Sequence, residues 1–227
     1  IELVANELSK RKIKSTWFVT HASPAIEKLK MNELVELGIH PNFLPNSTHG
    51  NTTNEIIKKM LEIVPNAKCI RTHGLYNSTY LYREIARNET LEIDSSILMP
   101  EIPDLKPHTI HYEEFGSPLS RVPIFWEDDI EMYNPHKKWQ FKNKKYHVNG
   151  MKIFNFHPLH VFLNSNNMKI WKLLKEISNL DKIEFNIANQ HINKNSIGVK
   201  NFFEEMCDHI SNEQGFSSTI SEIVKKK

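Results

Sequence analysis

From Ser15 to Asp94 the chain alternates short β-rich runs with amphipathic stretches, and no other feature narrows its possible folds as far. Ser15 to Thr20 has the Trp, Phe and Val content of a strand, and Ile39-His40, Lys68 to Thr72 and Leu91 to Asp94 repeat the pattern. Ser23-Pro24 then supplies an N-cap and a proline for the first helical position. The helix it starts carries Ile26, Leu29, Leu34 and Leu37, and Gly38 is a natural stop. Between Thr53 and Val64 the residues Ile56, Ile57, Met60, Leu61 and Val64 share one helical face, and Ser78 to Arg87 forms another helix. Strands spaced by helices in this way build βα units, so the expected class is α/β with a parallel sheet.

An amphipathic helix, Ile1 to Lys12, precedes these units, and the pattern loosens after them. Leu98 to Pro118 is a long excursion, and Leu119 to Phe125 and His147 to His157 are strand signals. Asn134 to Lys145 is a polar, basic and aromatic loop. Met168 to Leu180 and Val199 to Ile210 are helices, and Ile183 to Asn189 is a short strand. No repeat or linker interrupts the chain, so residues 1–227 are expected to form one domain.

Composition excludes several classes of function. A formal charge of +2 is too small for a nucleic-acid footprint, and the basic end, Lys225 to Lys227, is a solvated tail. No apolar stretch approaches the roughly 20 residues of a transmembrane segment. Cys69 and Cys207 are too few for a disulfide framework and are expected to be buried thiols. That usage fits a reducing compartment, and a cytoplasmic location is expected.

The chemistry is concentrated where the apolar runs end. Four of them stop at a histidine: His21, His40, His73 and His157. On parallel strands such residues gather at the carboxyl end, where α/β enzymes keep their sites. Around His40 the loop Pro41 to Gly50 brings a second histidine, His49, and neutral imidazoles are good ligands for zinc and similar ions. Arg71 and His73 alternate to the same side of their strand. An inward arginine needs a carboxylate, so Arg71 is a candidate for orienting a catalytic Asp. In Trp126-Glu127-Asp128-Asp129 the carboxylates could position a base and the indole a sugar ring. His157, followed at once by Pro158, is a candidate general acid.

In this order the segments resemble the polysaccharide deacetylase family, also called the NodB-homology or carbohydrate esterase 4 group. Glu36-Leu37-Gly38-Ile39-His40-Pro41-Asn42 is similar to its surface-polysaccharide branch. Arg71-Thr72-His73-Gly74 is similar to its arginine motif, Trp126-Glu127-Asp128-Asp129 to its Asp/Trp motif and Phe156-His157-Pro158 to its final histidine motif. The resemblance implies a distorted (β/α)7-type barrel and a divalent metal, zinc by preference. It implies removal of N-acetyl groups from a glycan or its sugar precursor, as in capsule or O-antigen biosynthesis. By position His40 and His49 would hold the metal, with His73 as a competitor for the second place. His157, Arg71 and Asp128 would be catalytic, and Trp126, Asn42 and His73 would meet the sugar. The family's opening Asp-Asp strand lies before its first helix, where this chain starts, so that N-terminal strand is expected to be missing. The alternative is a catalytically impaired, deacetylase-like glycan-binding protein.

Overall fold

The computed structural model describes residues 1–115, 118–177, 183–212 and 216–225. The chain divides into two compact units, a sheet unit (residues 14–99, 104–124 and 217–227) and a helical unit (residues 1–13, 100–103 and 125–216).

The sheet unit holds six strands: β1 (Ser15–Val19), β2 (Val35–Ile39), β3 (Cys69–Ile70), β4 (Ile93–Asp94), β5 (His108–Ile110) and β6 (Leu119–Arg121). Their order is β1-β2-β3-β4-β6-β5. All neighbours are parallel except β5 and β6, which run antiparallel. The parallel sheet expected from the alternation is therefore present. A closed barrel is not seen: among the described residues the strands form this sheet and a separate two-stranded one. The pair β5–β6 falls within the excursion and its flank, where three-residue strands are too short for a sequence period to register.

Helices α2 (Pro24–Lys30), α3 (Thr53–Ile63) and α4 (Thr79–Ala86) start within a residue of where the sequence pattern places them, α2 at its expected cap. The Ser23 and Ser78 hydroxyls accept the amides of Ile26 and Leu81, and Thr52 and Glu55 form a reciprocal capping box. The core of this unit is made of Ile39, Met60, Ile70, Ile85 and Leu119, all fully buried, with the free thiol of Cys69 among them.

The expected continuation of α2 to Gly38 is corrected. Asn32 Oδ1 accepts the Leu34 amide in a turn, and Val35–Ile39 is strand β2. Gly38 is an interior strand residue. A Cβ there would lie 2.7 Å from Cys69 Sγ and 2.8 Å from the Cys69 carbonyl oxygen, so close approach of β3 requires glycine.

The helical unit contains α1 (Glu2–Lys10), the parallel pair β7 (Trp126–Glu127) and β8 (Phe154–Asn155), α5 (Asp128–Tyr133), α6 (Pro158–Leu163), α7 (Lys169–Ile177), α8 (Phe185–Gln190) and α9 (Val199–Asn212). Its core is aromatic: Trp126 stacks on Phe202 at 4.4 Å, with Phe141, Tyr146 and Phe154 around them. The strand signal from His147 to His157 condenses to two residues. The short strand expected at Ile183 to Asn189 is helix α8, with Ala188 turned inward. The last residues expected in α7, 178–180, lie outside the described part, as does the end of the basic tail. A final helix, α10 (Ile220–Lys225), returns to the sheet unit, where Thr16 Oγ1 accepts the Ile220 amide. No described helix is long and apolar enough to cross a membrane.

Candidate active site

In the sheet unit, register aligns the strand ends. Val19, Ile39, Ile70, Asp94 and Arg121 form one row across β1, β2, β3, β4 and β6. His40, Arg71 and Ser95 each follow one residue later. Their amides continue the ladder onto the carbonyls of Val19, Ile39 and Ile70. The gathering of strand-end residues at one sheet edge thus holds for His40 and His73, whose rings meet edge to face at 5.6 Å.

His40 is oriented from behind. Its Nδ1 lies 2.7 Å from the Arg71 carbonyl oxygen, so Nδ1–H donates, and in the neutral ring the lone pair belongs to Nε2. A carbonyl behind an imidazole is the usual support of a metal-ligating histidine. This donor chemistry fits a divalent ion. Arg71 itself is buried: Nε donates to the Ser95 carbonyl, a terminal nitrogen donates to Ser95 Oγ, and the guanidinium lies over the Phe18 ring.

His49 is buried and held the other way around. Its Nδ1 accepts the Asn42 amide, which places the proton of the neutral ring on Nε2. Nε2 is sealed from solvent, and the Thr20 backbone faces the ring, working weakly against the burial. Burial, then the charge of His21 and Lys59, lowers the pKa of His49 and keeps it neutral. Asn42 is half-buried, and its side chain closes a turn onto the Leu44 amide.

In the helical unit, β7 and β8 deliver Asp128 and His157 to each other. Asp128 is fully buried and accepts three hydrogen bonds. They come from the His157 amide (2.8 Å), His157 Nδ1 (2.6 Å) and the Asp129 amide (2.9 Å). Burial alone would lower the His157 pKa. The Asp128 carboxylate, through charge and hydrogen bond, and then Asp129 and Glu127, raise it instead to about 9. The His157 side chain remains 44% exposed, so the imidazolium reaches solvent. Glu127 accepts from Asn155 Nδ2 at 2.8 Å. Single ligand atoms of Glu127, Asp129 and His157 all lie within 4.8 Å of one another.

Trp126, expected as a sugar platform, is a core residue: it is buried against Phe202 and Phe156, and its Nε1–H donates to Glu131. Sequence reasoning passed over Ser95 and Ser96, which fix Arg71 and the Thr72 amide. Two serines after a strand carry no distinguishing signal. His160 is buried, its Nδ1 lies 3.2 Å from Ser165 Oγ, and burial lowers its pKa.

Residues 1–175 match the WbmS-like polysaccharide deacetylases, and the chain belongs to that family. Among solved structures it is similar to WbmS of Bordetella bronchiseptica, a protein described as a polysaccharide deacetylase involved in O-antigen biosynthesis. The two share 26% identity and superpose with a TM-score of 0.77 over 92% of this chain and 84% of that one. The curated proteins give no match.

Proposed function

We propose that this protein is a metal-dependent hydrolase that removes acetyl groups from an N-acetylated sugar of a surface polysaccharide, such as an O-antigen, or of its precursor. The observation that carries this reading is the 2.6 Å contact between His157 Nδ1 and the buried Asp128 carboxylate, in a chain of deacetylase descent. An amide is a poor substrate because its nitrogen leaves badly unless protonated. Because Nδ1 is tied to Asp128, His157 can hand over its Nε2 proton and remain in place. Asp128 acts through His157, setting its orientation and its charge.

His40 and His73 are our choice for the histidine ligands of the metal, zinc by their chemistry. The Asn42 amide engages the Nδ1 lone pair of His49, so His49 braces the loop instead. When bound, such an ion supplies positive charge that polarises the amide carbonyl and acidifies water. Arg71 contributes by lending its carbonyl to His40 while Ser95 and Phe18 anchor its guanidinium.

Elemental analysis by mass spectrometry on wild type and His40→Ala tests the metal. We expect metal in the first and at least tenfold weaker retention in the second, whereas equal, negligible metal in both overturns the reading. Acetate release from N-acetylated glycans tests turnover. Glycan binding with no acetate released would select the binding protein over the enzyme.

A further inference from the structure

The helical unit carries a second polar feature that the deacetylase reading does not use. From Asn134 to Lys152 the chain has Lys137, Lys138, Lys142, Lys144, Lys145 and Lys152 and no Asp or Glu. The whole chain carries only +2, so its positive charge is concentrated here. This segment folds around a cavity of about 200 Å³ whose lining includes Asn134, His136, Lys138, Trp139, Asn143 and Lys145.

Trp139 makes this more than a basic surface. It is only 4% exposed, and its Nε1–H has no hydrogen-bond partner among the described residues. An indole N–H can only donate, and leaving one buried and unmade is unfavourable. Its backbone sits at φ 48°, a region a bulky residue rarely occupies, so the chain accepts strain to keep the ring turned inward. Trp126 supports it from the core side, edge to face at 6.4 Å.

The charges around the cavity are not all available. Lys145 Nζ is held by Glu101 at 2.6 Å and lies 3.6 Å from Glu131, which also accepts from Asn134 Nδ2. Lys138 and His136 are exposed at the rim. The lining therefore combines a buried donor, side-chain amides and rim cations. That set suits a ligand which is anionic and offers only acceptor atoms.

We propose that this cavity binds an anionic oxygen group, phosphoryl or carboxylate, with the Trp139 indole N–H and Lys138 as its donors. Its volume, about 200 Å³, admits such a group together with the moiety that carries it. The source is then a phosphorylated carrier or an acidic sugar of the glycan, and the two are separable by experiment.

Full-length protein is titrated with sodium pyrophosphate and, separately, with a methyl glucuronoside. The Trp139 indole N–H resonance, assigned by its loss in Trp139→Phe, is followed by NMR. We expect one of the two anions to move that resonance and to bind at least fivefold more weakly to Trp139→Phe and to Lys138→Gln. Pyrophosphate as the responder assigns the phosphoryl source, and the glucuronoside the carboxylate source. Lys138 is exposed, so its substitution tests binding without endangering the fold. An indole resonance that moves with neither anion overturns the proposal, as does unchanged affinity in Lys138→Gln. Acetate release plays no part in this measurement, so a failed deacetylation assay would leave the result standing.

Discussion

His40 and His157 are the same local motif used twice: an imidazole just past a strand, followed at once by a proline. They differ in what lies behind Nδ1. At His40 it is the Arg71 backbone carbonyl, a neutral dipole that fixes the ring. At His157 it is the fully buried Asp128 carboxylate, with Asp129 and Glu127 adding to its field. The second support favours a proton on its ring. In the reaction proposed above, the motif would serve once as a ligand and once as an acid, according to the charge of its hydrogen-bond partner.

The hardest test of that contrast is Asp128→Asn, which keeps the shape and removes the charge. We expect the His157 pKa to fall from about 9 toward its ordinary value near 6.5. Deacetylation should drop by about 10²- to 10⁴-fold, with the alkaline limb of the rate profile moving to lower pH. A His157 pKa still near 9 by NMR titration would break the comparison.

Next in size is Gly38→Ala, which addresses the sheet that holds His40. The added methyl meets both Cys69 Sγ and the Cys69 carbonyl, and backbone cannot yield cheaply. A loss of about 1–3 kcal/mol is expected in denaturant unfolding. Wild-type stability would show that β2 and β3 can separate without cost.

The acidic support of His157 also predicts a pH dependence of stability. The folded pKa lies above the unfolded one, so the contribution is full below about pH 6.5 and is lost as pH rises through about 9. With the ring 44% exposed, solvent screening leaves on the order of 1 kcal/mol. The stability gap between wild type and Asp128→Asn should narrow by that much between pH 6 and 10; a constant gap would assign the pair no charge.

The smallest effect is expected for Ser95→Ala, which removes one hydroxyl from Arg71. Stability should fall by about 1 kcal/mol, and metal retention by a few-fold, because the carbonyl behind His40 loosens. Equal metal retention would show that the Arg71 backbone needs no help from its side chain.

Features set by neighbouring residues could be read from the chain. Ser23-Pro24 starts a helix because a hydroxyl reaches an amide three residues on, whatever the rest of the molecule does. The strand-end positions of His40 and His73 were legible for the same reason. Leu34 and Leu37 misled because apolar spacing of three fits a helix, and only packing against Cys69 makes Gly38 a strand residue. Helix α8 was misread because six residues are too few to separate the two periods.

The sequence by itself thus determined the alternation of elements, the α/β class and which residue types stand at the strand ends. Tertiary structure decided the partner of each ring: Arg71 is 31 residues from His40, and Asp128 is 29 from His157. It also buried Trp126, which the chain presents among acids as though for solvent. The physical reason is range: capping and side-chain periodicity act within about four residues. The charge state of an imidazole depends on its burial and on charges within about 4–6 Å, which only the folded chain brings there.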